Sequence, residues 1–115
     1  MTLDKECREL ISTLESHGFK NFYEMSVNEA RHASAAFIGL QGEKQFVANV
    51  TDYTLINENS EVPLRIYHPH TEGLCPVLLY FHGGGFIFGD IELVDSVCRD
   101  LCALTGMAVV SVGYR

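Results

Sequence analysis

Basic residues are scarce in this sequence of 115 residues, which has 8 lysines and arginines against 15 aspartates and glutamates and a net charge of -7. Because this charge repels phosphate backbones and anionic membranes, we expect no nucleic-acid partner. Long hydrophobic runs are missing too, since no apolar stretch reaches the roughly 18 residues that a membrane span needs. The acidic start lacks the basic and then apolar run of a secretory signal, which favours a cytoplasmic protein.

Proline, glycine and cysteine are also limited, with 3, 10 and 4 residues. Together with a hydrophobic fraction of 47%, this composition excludes a disordered or fibrous chain and indicates a globular one. The length accommodates one small domain or part of a larger one. The cysteines form no C-x-x-C pair, so we expect neither a disulfide scaffold nor a zinc or redox site. Cys98 and Cys102 lie one helical turn apart and are interpreted as core residues.

The first 45 residues have helical patterning. Apolar residues recur at helical spacing over residues 3–17 and predict a first helix. A second helix is predicted to begin after a capping box formed by Ser26 and Glu29 and to run to about residue 40. A polar, turn-like stretch follows, and we place a boundary near residue 45.

After that boundary the apolar period changes from 3.6 to 2. Residues 46–56 and 62–69 are predicted to form two strands of an antiparallel hairpin. Residues 77–81 and 107–112 are short continuous apolar runs, which predict strands buried on both faces of a covered sheet. The helix predicted over residues 94–104 joins them in a right-handed parallel βαβ unit, so we expect an α/β fold.

Three successive glycines, Gly83 to Gly85, lie between the first buried strand and the helix. Bare backbone of this kind lets a negatively charged ligand atom approach the N–H groups closely. The dinucleotide fingerprint G-x-G-x-x-G fails at Phe88, and the P-loop pattern fails at Asp90 and Ile91, where lysine and serine or threonine are needed. The remaining match is the HGGG-type oxyanion loop of α/β-hydrolases, which residues 82–85 fit without a gap.

The sequence resembles the hormone-sensitive lipase group of α/β-hydrolase serine esterases over more than this loop. The resemblance covers residues 46–115 well and the two leading helices loosely. It is carried by the segments 62–69 (VPLRIYHP), 76–86 (PVLLYFHGGGF), Gly89-Asp90, Asp95, Cys98-Arg99 and 110–115 (VSVGYR).

This resemblance implies hydrolysis of carboxylic esters by a triad of serine, an acid and histidine on a mostly parallel, eight-stranded sheet. It implies that residues 1–45 contribute to a cap and that residues 46–115 form the N-terminal half of the hydrolase core. By position, the backbone amides of Gly83 and Gly84 would stabilise the oxyanion, and Gly85 would permit the path of the loop. The expected substrate is a small-molecule ester, and we expect no cofactor and no metal.

Other residues near the loop have a structural and a functional interpretation. His82 is expected to be a structural hydrogen-bonding residue rather than the triad histidine, because a general base must have its nucleophile within reach. Phe86 and Phe88 could line an acyl pocket, although aromatic residues near a helix start are at least as often core. His68 and His70 have no obvious third ligand and are interpreted as exposed.

Two features depart from a complete esterase. Gly113 stands where the family usually has an aspartate before Tyr-Arg, so the polar contact of that aspartate is not carried over. No serine lies in the nucleophile motif G-x-S-x-G; the serines are Ser12, Ser16, Ser26, Ser34, Ser60, Ser96 and Ser111.

The chain is therefore interpreted as the N-terminal part of an esterase, inactive by itself. A non-catalytic ligand-binding module of the same fold and an inactive truncated fragment remain as alternatives. Without the nucleophile strand, residues 77–81 are expected to form an unpaired apolar sheet edge through which the chain self-associates.

Overall fold

The computed structural model describes residues 2–16 and 19–114. Its helices and strands are α1 (Lys5–Ser16), α2 (Val27–Ser34), β1 (Asn49–Asn57), β2 (Ser60–His68), β3 (Val77–Phe81), α3 (Asp95–Thr105) and β4 (Ala108–Val112). Short 3₁₀ segments occur at Phe22–Glu24, Ala35–Leu40 and Glu92–Val94. Residue 17, where we expected the first helix to end, lies outside the described residues.

The start of α2 confirms the predicted capping box. The Glu29 amide donates to Ser26 Oγ at 3.4 Å, and the Glu29 carboxylate accepts from the Ser26 amide at 2.8 Å. The α-helix is shorter than predicted, because it ends at Ser34 and the chain continues as a 3₁₀ segment to Leu40. At this junction the Ser34 hydroxyl donates to the carbonyl oxygen of Arg31, a backbone acceptor of the last turn.

The four strands form one sheet in the order β1-β2-β4-β3. β1 and β2 are the predicted antiparallel hairpin, with Asn57 opposite Ser60 across a two-residue turn. The Asn57 side-chain oxygen accepts from the amides of Asn59 and Ser60 and closes this turn. β3 and β4 pair in parallel and are joined through α3, which confirms the predicted βαβ unit.

Helix α3 covers one face of the sheet and forms the core with it. Gly106 ends this helix in the left-handed conformation at φ 70°. The buried cluster contains Cys98 and Cys102, which confirms their interpretation as core residues. It is completed by Val47, Tyr67 and Val109.

The opposite face of the sheet is open in the described part of the chain. Val77, Leu79 and Phe81 of β3 are 60%, 60% and 61% exposed, whereas Leu78 and Tyr80 pack against the core. The expectation that the strand at 77–81 is buried on both faces of a covered sheet is therefore wrong for this chain. The physical reason is that β3 lies at the sheet edge and only the α3 side is covered. The edge position itself confirms the expectation for a chain without the nucleophile strand. β4, an inner strand, is largely buried as expected.

A buried carboxylate, Asp95, fixes the start of α3. It accepts hydrogen bonds or ion pairs from Lys44 Nζ at 2.6 Å, the Tyr67 hydroxyl at 2.8 Å and Arg99 Nε at 2.9 Å. Burial alone would raise the pKa of Asp95, but these partners outweigh burial and lower the pKa to about 2. Burial and the adjacent carboxylate raise the pKa of the Tyr67 hydroxyl above its usual range. The network ties α3 to β2 and to the segment before β1.

No helix within the described ranges has the length and apolar character needed to cross a membrane.

Candidate active site

The glycine loop leaves the carboxyl end of β3 and turns sharply before α3. Gly84, Gly85 and Phe86 have φ angles of 136°, 61° and 59°, and Phe86 is the only non-glycine residue with positive φ among the described residues. The Gly84 carbonyl oxygen accepts from the amides of Ile87 and Phe88 at 3.1 and 3.2 Å. A left-handed aromatic residue in a loop is strained backbone, which is commonly found at functional sites.

Close contacts explain why two positions of this loop require glycine. A Cβ on Gly84 would overlap the backbone carbonyl of Phe88, so no other residue fits the observed turn. A Cβ on Gly89 would lie 2.7 Å from Nδ1 of His82. A Cβ on Gly83 or Gly85, in contrast, would meet nothing within 4 Å. Gly84 and Gly89 therefore fold the loop onto itself, while Gly83 and Gly85 border open space.

His82, at the start of the loop, is 4% exposed and is held by two contacts. Its Nδ1 lies 2.8 Å from the carbonyl oxygen of Gly83, and its ring stacks on Tyr114 with centroids 4.3 Å apart and an interplanar angle of 9°. Because a carbonyl oxygen only accepts, Nδ1 must carry a proton and donate in this contact. Within the described residues Nε2 is buried without a partner.

Tyr114, just after β4, contacts the loop from the neighbouring strand. Its hydroxyl donates to the carbonyl oxygen of His82, in addition to the ring stack. Sequence patterns around the glycine loop predicted no role for Tyr114. The available signal was the Tyr-Arg pair that follows the second buried strand.

A cavity of about 340 Å³ opens beside the loop. His82, Phe86 and Phe88 all line it, so the structure brings together the three side chains singled out around the glycines. Phe86 is 87% exposed, whereas Phe88 also stacks on Phe22 at a centroid distance of 4.5 Å. The other lining residues are Arg31, Ser34, Ile87, Gly89, Asp90 and Tyr114.

Arg31 on α2 connects the N-terminal segment to the loop. Its Nε donates to the carbonyl oxygen of Ile87 at 2.8 Å, and the Gln41 side chain likewise donates to the carbonyl oxygen of Glu92 at 2.7 Å. Neither contact was predicted from the sequence, because each joins residues more than 50 positions apart. That residues 1–45 contribute to a cap stays a prediction.

The two histidines before β3 lie apart from this cavity. His70 is exposed as expected and stacks on Phe46 at 5.4 Å. His68 was wrongly expected to be exposed, because it is the last residue of β2 and is half-buried, with Nε2 at 3.5 Å from Thr51 Oγ1. Among the described residues, no cluster of three or more histidine, cysteine, aspartate or glutamate side chains could hold a metal ion.

Comparison with known proteins supports the fold. A family model described as alpha/beta hydrolase fold matches residues 78–115, which include the glycine loop. The carboxylic ester hydrolase LipN of Mycobacterium tuberculosis is 31% identical over 116 aligned positions, covering 99% of this chain and 31% of its own length. An arylesterase of Saccharolobus solfataricus is 30% identical, covering 100% of this chain and 38% of its own length.

Solved structures show the same similarity in three dimensions. The ester-hydrolase EH1AB1 from the metagenome of Lake Arreo has a TM-score of 0.87 and 32% identity, covering 99% of this chain and 38% of its own. A hyperthermophilic esterase from Pyrobaculum calidifontis has a TM-score of 0.85 and 30% identity, covering 100% and 37%. This chain thus spans between 31% and 38% of the length of these relatives.

Proposed function

Because the chain belongs to the α/β-hydrolase fold family and forms the N-terminal portion of that fold, we propose that it supplies the oxyanion-binding loop of a serine carboxylesterase. One relative is named a carboxylic ester hydrolase and another an arylesterase, and this chain aligns with both over nearly its whole length. The serine nucleophile, the acid and the histidine of the triad would lie in the remainder of the hydrolase.

This proposal rests on the backbone amides of the glycine loop, which are free to bind a ligand. Within the described residues, the N–H groups of Gly83 and Gly84 donate to no protein acceptor. They follow His82, which lines the cavity, and no side chain at position 83 or 84 covers them. Gly83 and Gly84 do not themselves line the cavity, which borders the loop at His82 and at residues 86–90. Backbone amides without an intramolecular acceptor can stabilise negative charge on a substrate oxygen.

The proposed chemistry follows from this placement. The serine oxygen of the complete hydrolase attacks the ester carbonyl carbon, and its proton passes to the triad histidine. The carbonyl oxygen gains the electron pair of the π bond and is held by the amides of Gly83 and Gly84. Collapse expels the alcohol, which takes the proton from the histidine, and water then hydrolyses the acyl-enzyme. Phe86 and Phe88 would contact the apolar part of a small-molecule ester in the cavity.

The test compares two glycine variants of the full-length hydrolase. Gly84→Ala places a Cβ against the Phe88 carbonyl and displaces the donor amides, so kcat should fall about 100-fold or more with a smaller change in KM. Gly73→Ala is the matched control, because Gly73 also has positive φ, at 82°, but its Cβ would meet nothing within 4 Å. An unchanged kcat for Gly84→Ala would contradict the proposal that this loop binds the oxyanion.

Labelling with a serine-directed organophosphate separates the esterase from the alternatives. The full-length hydrolase should be labelled stoichiometrically on one serine, and residues 1–115 alone should not be labelled, since no serine here lies in the nucleophile motif. A full-length protein that binds esters without labelling would instead be a non-catalytic module of this fold.

We further propose a cytoplasmic setting and self-association of the isolated chain through β3. All four cysteines are free, which suits a reducing compartment. β3 is a sheet edge with apolar side chains on its open face, which favours pairing with a further strand.

A further inference from the structure

We propose that Tyr114 and the side chain of His82 are positioning residues that fix the two peptide planes whose N–H groups would bind the oxyanion. This inference rests on the proposed function, because it assigns a task to residues around the same glycine loop. It extends the assignment from the glycines to the side chains that orient them.

The first peptide plane joins His82 to Gly83. Its carbonyl oxygen, on His82, accepts a hydrogen bond from the Tyr114 hydroxyl. Its N–H, on Gly83, is the first proposed oxyanion donor. Since a peptide unit is planar and trans, its C=O and N–H point in opposite directions, and restraining one orients the other. By binding the carbonyl oxygen of this peptide, Tyr114 therefore fixes the direction in which the Gly83 N–H points.

The second peptide plane joins Gly83 to Gly84 and is held in the same way. Its carbonyl oxygen, on Gly83, accepts from Nδ1 of His82 at 2.8 Å. Its N–H, on Gly84, is the second proposed donor. Each donor amide thus belongs to a peptide whose oxygen is bound by a side chain outside the three-glycine segment.

The two restraints are coupled through the rings. The imidazole of His82 lies flat on the phenol ring of Tyr114, with an interplanar angle of 9°, and His82 is 4% exposed. The closeness of the Gly89 backbone, where a Cβ would lie 2.7 Å from Nδ1, further limits rotation of the imidazole. Tyr114 therefore orients the first peptide directly and the second through His82.

The physical need for such restraints comes from the glycines themselves. Glycine has the greatest backbone freedom of any residue, so a run of three would let the peptide planes rotate in the free protein. Donor amides stabilise developing charge most when they need no reorientation during the reaction. Hydrogen bonds to the carbonyl oxygens also polarise the peptides and strengthen their N–H groups as donors.

The test is Tyr114→Phe in the full-length hydrolase, which keeps the ring stack and removes only the hydroxyl. We expect kcat to fall about tenfold while KM stays within about twofold, because a misaligned donor weakens transition-state binding only. Binding of a boronic acid, which forms an anionic tetrahedral adduct, should weaken in parallel with kcat. Tyr53→Phe is the matched control, since Tyr53 is exposed on β1 and should leave both constants unchanged.

A second pair of variants tests the His82 contact independently of Tyr114. The side-chain amide of His82→Asn places an N–H near the position of Nδ1, whereas that of His82→Gln reaches toward the position of Nε2. His82→Asn should therefore retain at least about tenfold more kcat than His82→Gln, at similar KM. If both variants lose kcat equally, the hydrogen bond from Nδ1 to the Gly83 carbonyl oxygen does not support catalysis, and the inference fails for His82.

The outcomes separate this inference from the function on which it rests. A wild-type hydrolase that neither turns over esters nor reacts with an organophosphate would overturn the proposed function. An active, labelled wild type whose kcat and boronate affinity are unchanged by Tyr114→Phe would overturn the positioning role alone. A Tyr114→Phe variant with a raised KM and an unchanged kcat would also count against it.

Discussion

Gly113 occupies a position at which the structure leaves no room for a side chain. A Cβ there would lie 2.9 Å from Cγ of Pro63 and 3.0 Å from Cδ1 of Ile91. The Gly113 amide also donates to the Pro63 carbonyl oxygen at 2.8 Å, which holds the backbone close. The aspartate that the family usually has before Tyr-Arg would therefore force β2 and the Ile91 loop apart. Glycine at this position is explained by packing.

Gly113→Ala should destabilise the full-length hydrolase by about 1–3 kcal/mol, the usual cost of overpacking a tight contact. The measurement is the free energy of unfolding in urea. Gly39→Ala is the control, because a Cβ on Gly39 would meet nothing within 4 Å and its φ is not left-handed. That variant should be neutral or slightly stabilising. Equal stability of the two variants would contradict the packing argument.

At the scale of single residues, the sequence predicted contacts between residues close together in the chain but not contacts between distant ones. The capping box of Ser26 and Glu29 and the core role of Cys98 were predictable, because each follows from residues within one or two helical turns. The bond from Tyr114 to His82 joins residues 32 apart, and that from Arg31 to Ile87 joins residues 56 apart. Such contacts depend on how elements pack, which local periodicity does not contain.

At the scale of elements, the Asp95 carboxylate connects α3 to its surroundings. Lys44 precedes β1, Tyr67 lies in β2 and Arg99 lies one turn further along α3, so one buried side chain joins three parts of the chain. Removal of one partner from such a network leaves buried groups without compensation. Asp95 is also one of the residues that carry the family resemblance, although the sequence predicted no role for it.

Asp95→Asn should lower the free energy of unfolding of the full-length hydrolase by about 3 kcal/mol at pH 7, because Lys44 and Arg99 lose their buried counter-charge. The pKa of Asp95 is lowered from 3.8 to about 2 in the folded chain. Its stabilisation is therefore complete above about pH 4 and is lost as the pH falls through about 2. The difference between wild type and Asp95→Asn should shrink over this range.

The matched control for this network is Asp100→Asn, which removes an exposed carboxylate from the same helix. It should change the free energy of unfolding by less than about 0.5 kcal/mol, as is usual for surface positions. A stability difference for Asp95→Asn that stayed constant from pH 7 to about pH 2 would show that the charge of Asp95 is not what stabilises α3.

For the whole molecule, the sequence predicted the fold correctly but did not predict which strand faces are buried. The glycine loop and the flanking apolar runs predicted an α/β-hydrolase portion, and the family match and solved esterases confirm it. Apolar runs alone, however, cannot distinguish a strand covered on both faces from one covered on a single face. β3 has the composition of an inner strand, yet its odd-numbered residues are exposed here.

This open face leads to the last prediction, which concerns association of residues 1–115. Val77, Leu79 and Phe81 lie on one face of an edge strand, and the sheet register places Tyr53, 57% exposed, on the same face. The β3 run contains neither charge nor proline, the features that usually protect an edge. At about 10 µM the isolated chain should therefore scatter light as an oligomer or aggregate. The 12.8 kDa monomer should be the minor species.

A pair of leucine-to-lysine variants identifies the surface responsible. The continuous apolar run of β3 predicts that Leu79→Lys does not restore a monomer cleanly, because a leucine in such a run is needed in the core. The structure corrects this reason, since Leu79 is 60% exposed on the open face. Leu79→Lys should now reduce the scattering mass toward the monomer, as a charge on an edge strand opposes pairing. Leu104→Lys makes the same change on α3, where Leu104 is 85% exposed, and should leave the association intact. A wild-type chain that is a monodisperse monomer at about 10 µM would refute the role of the β3 edge.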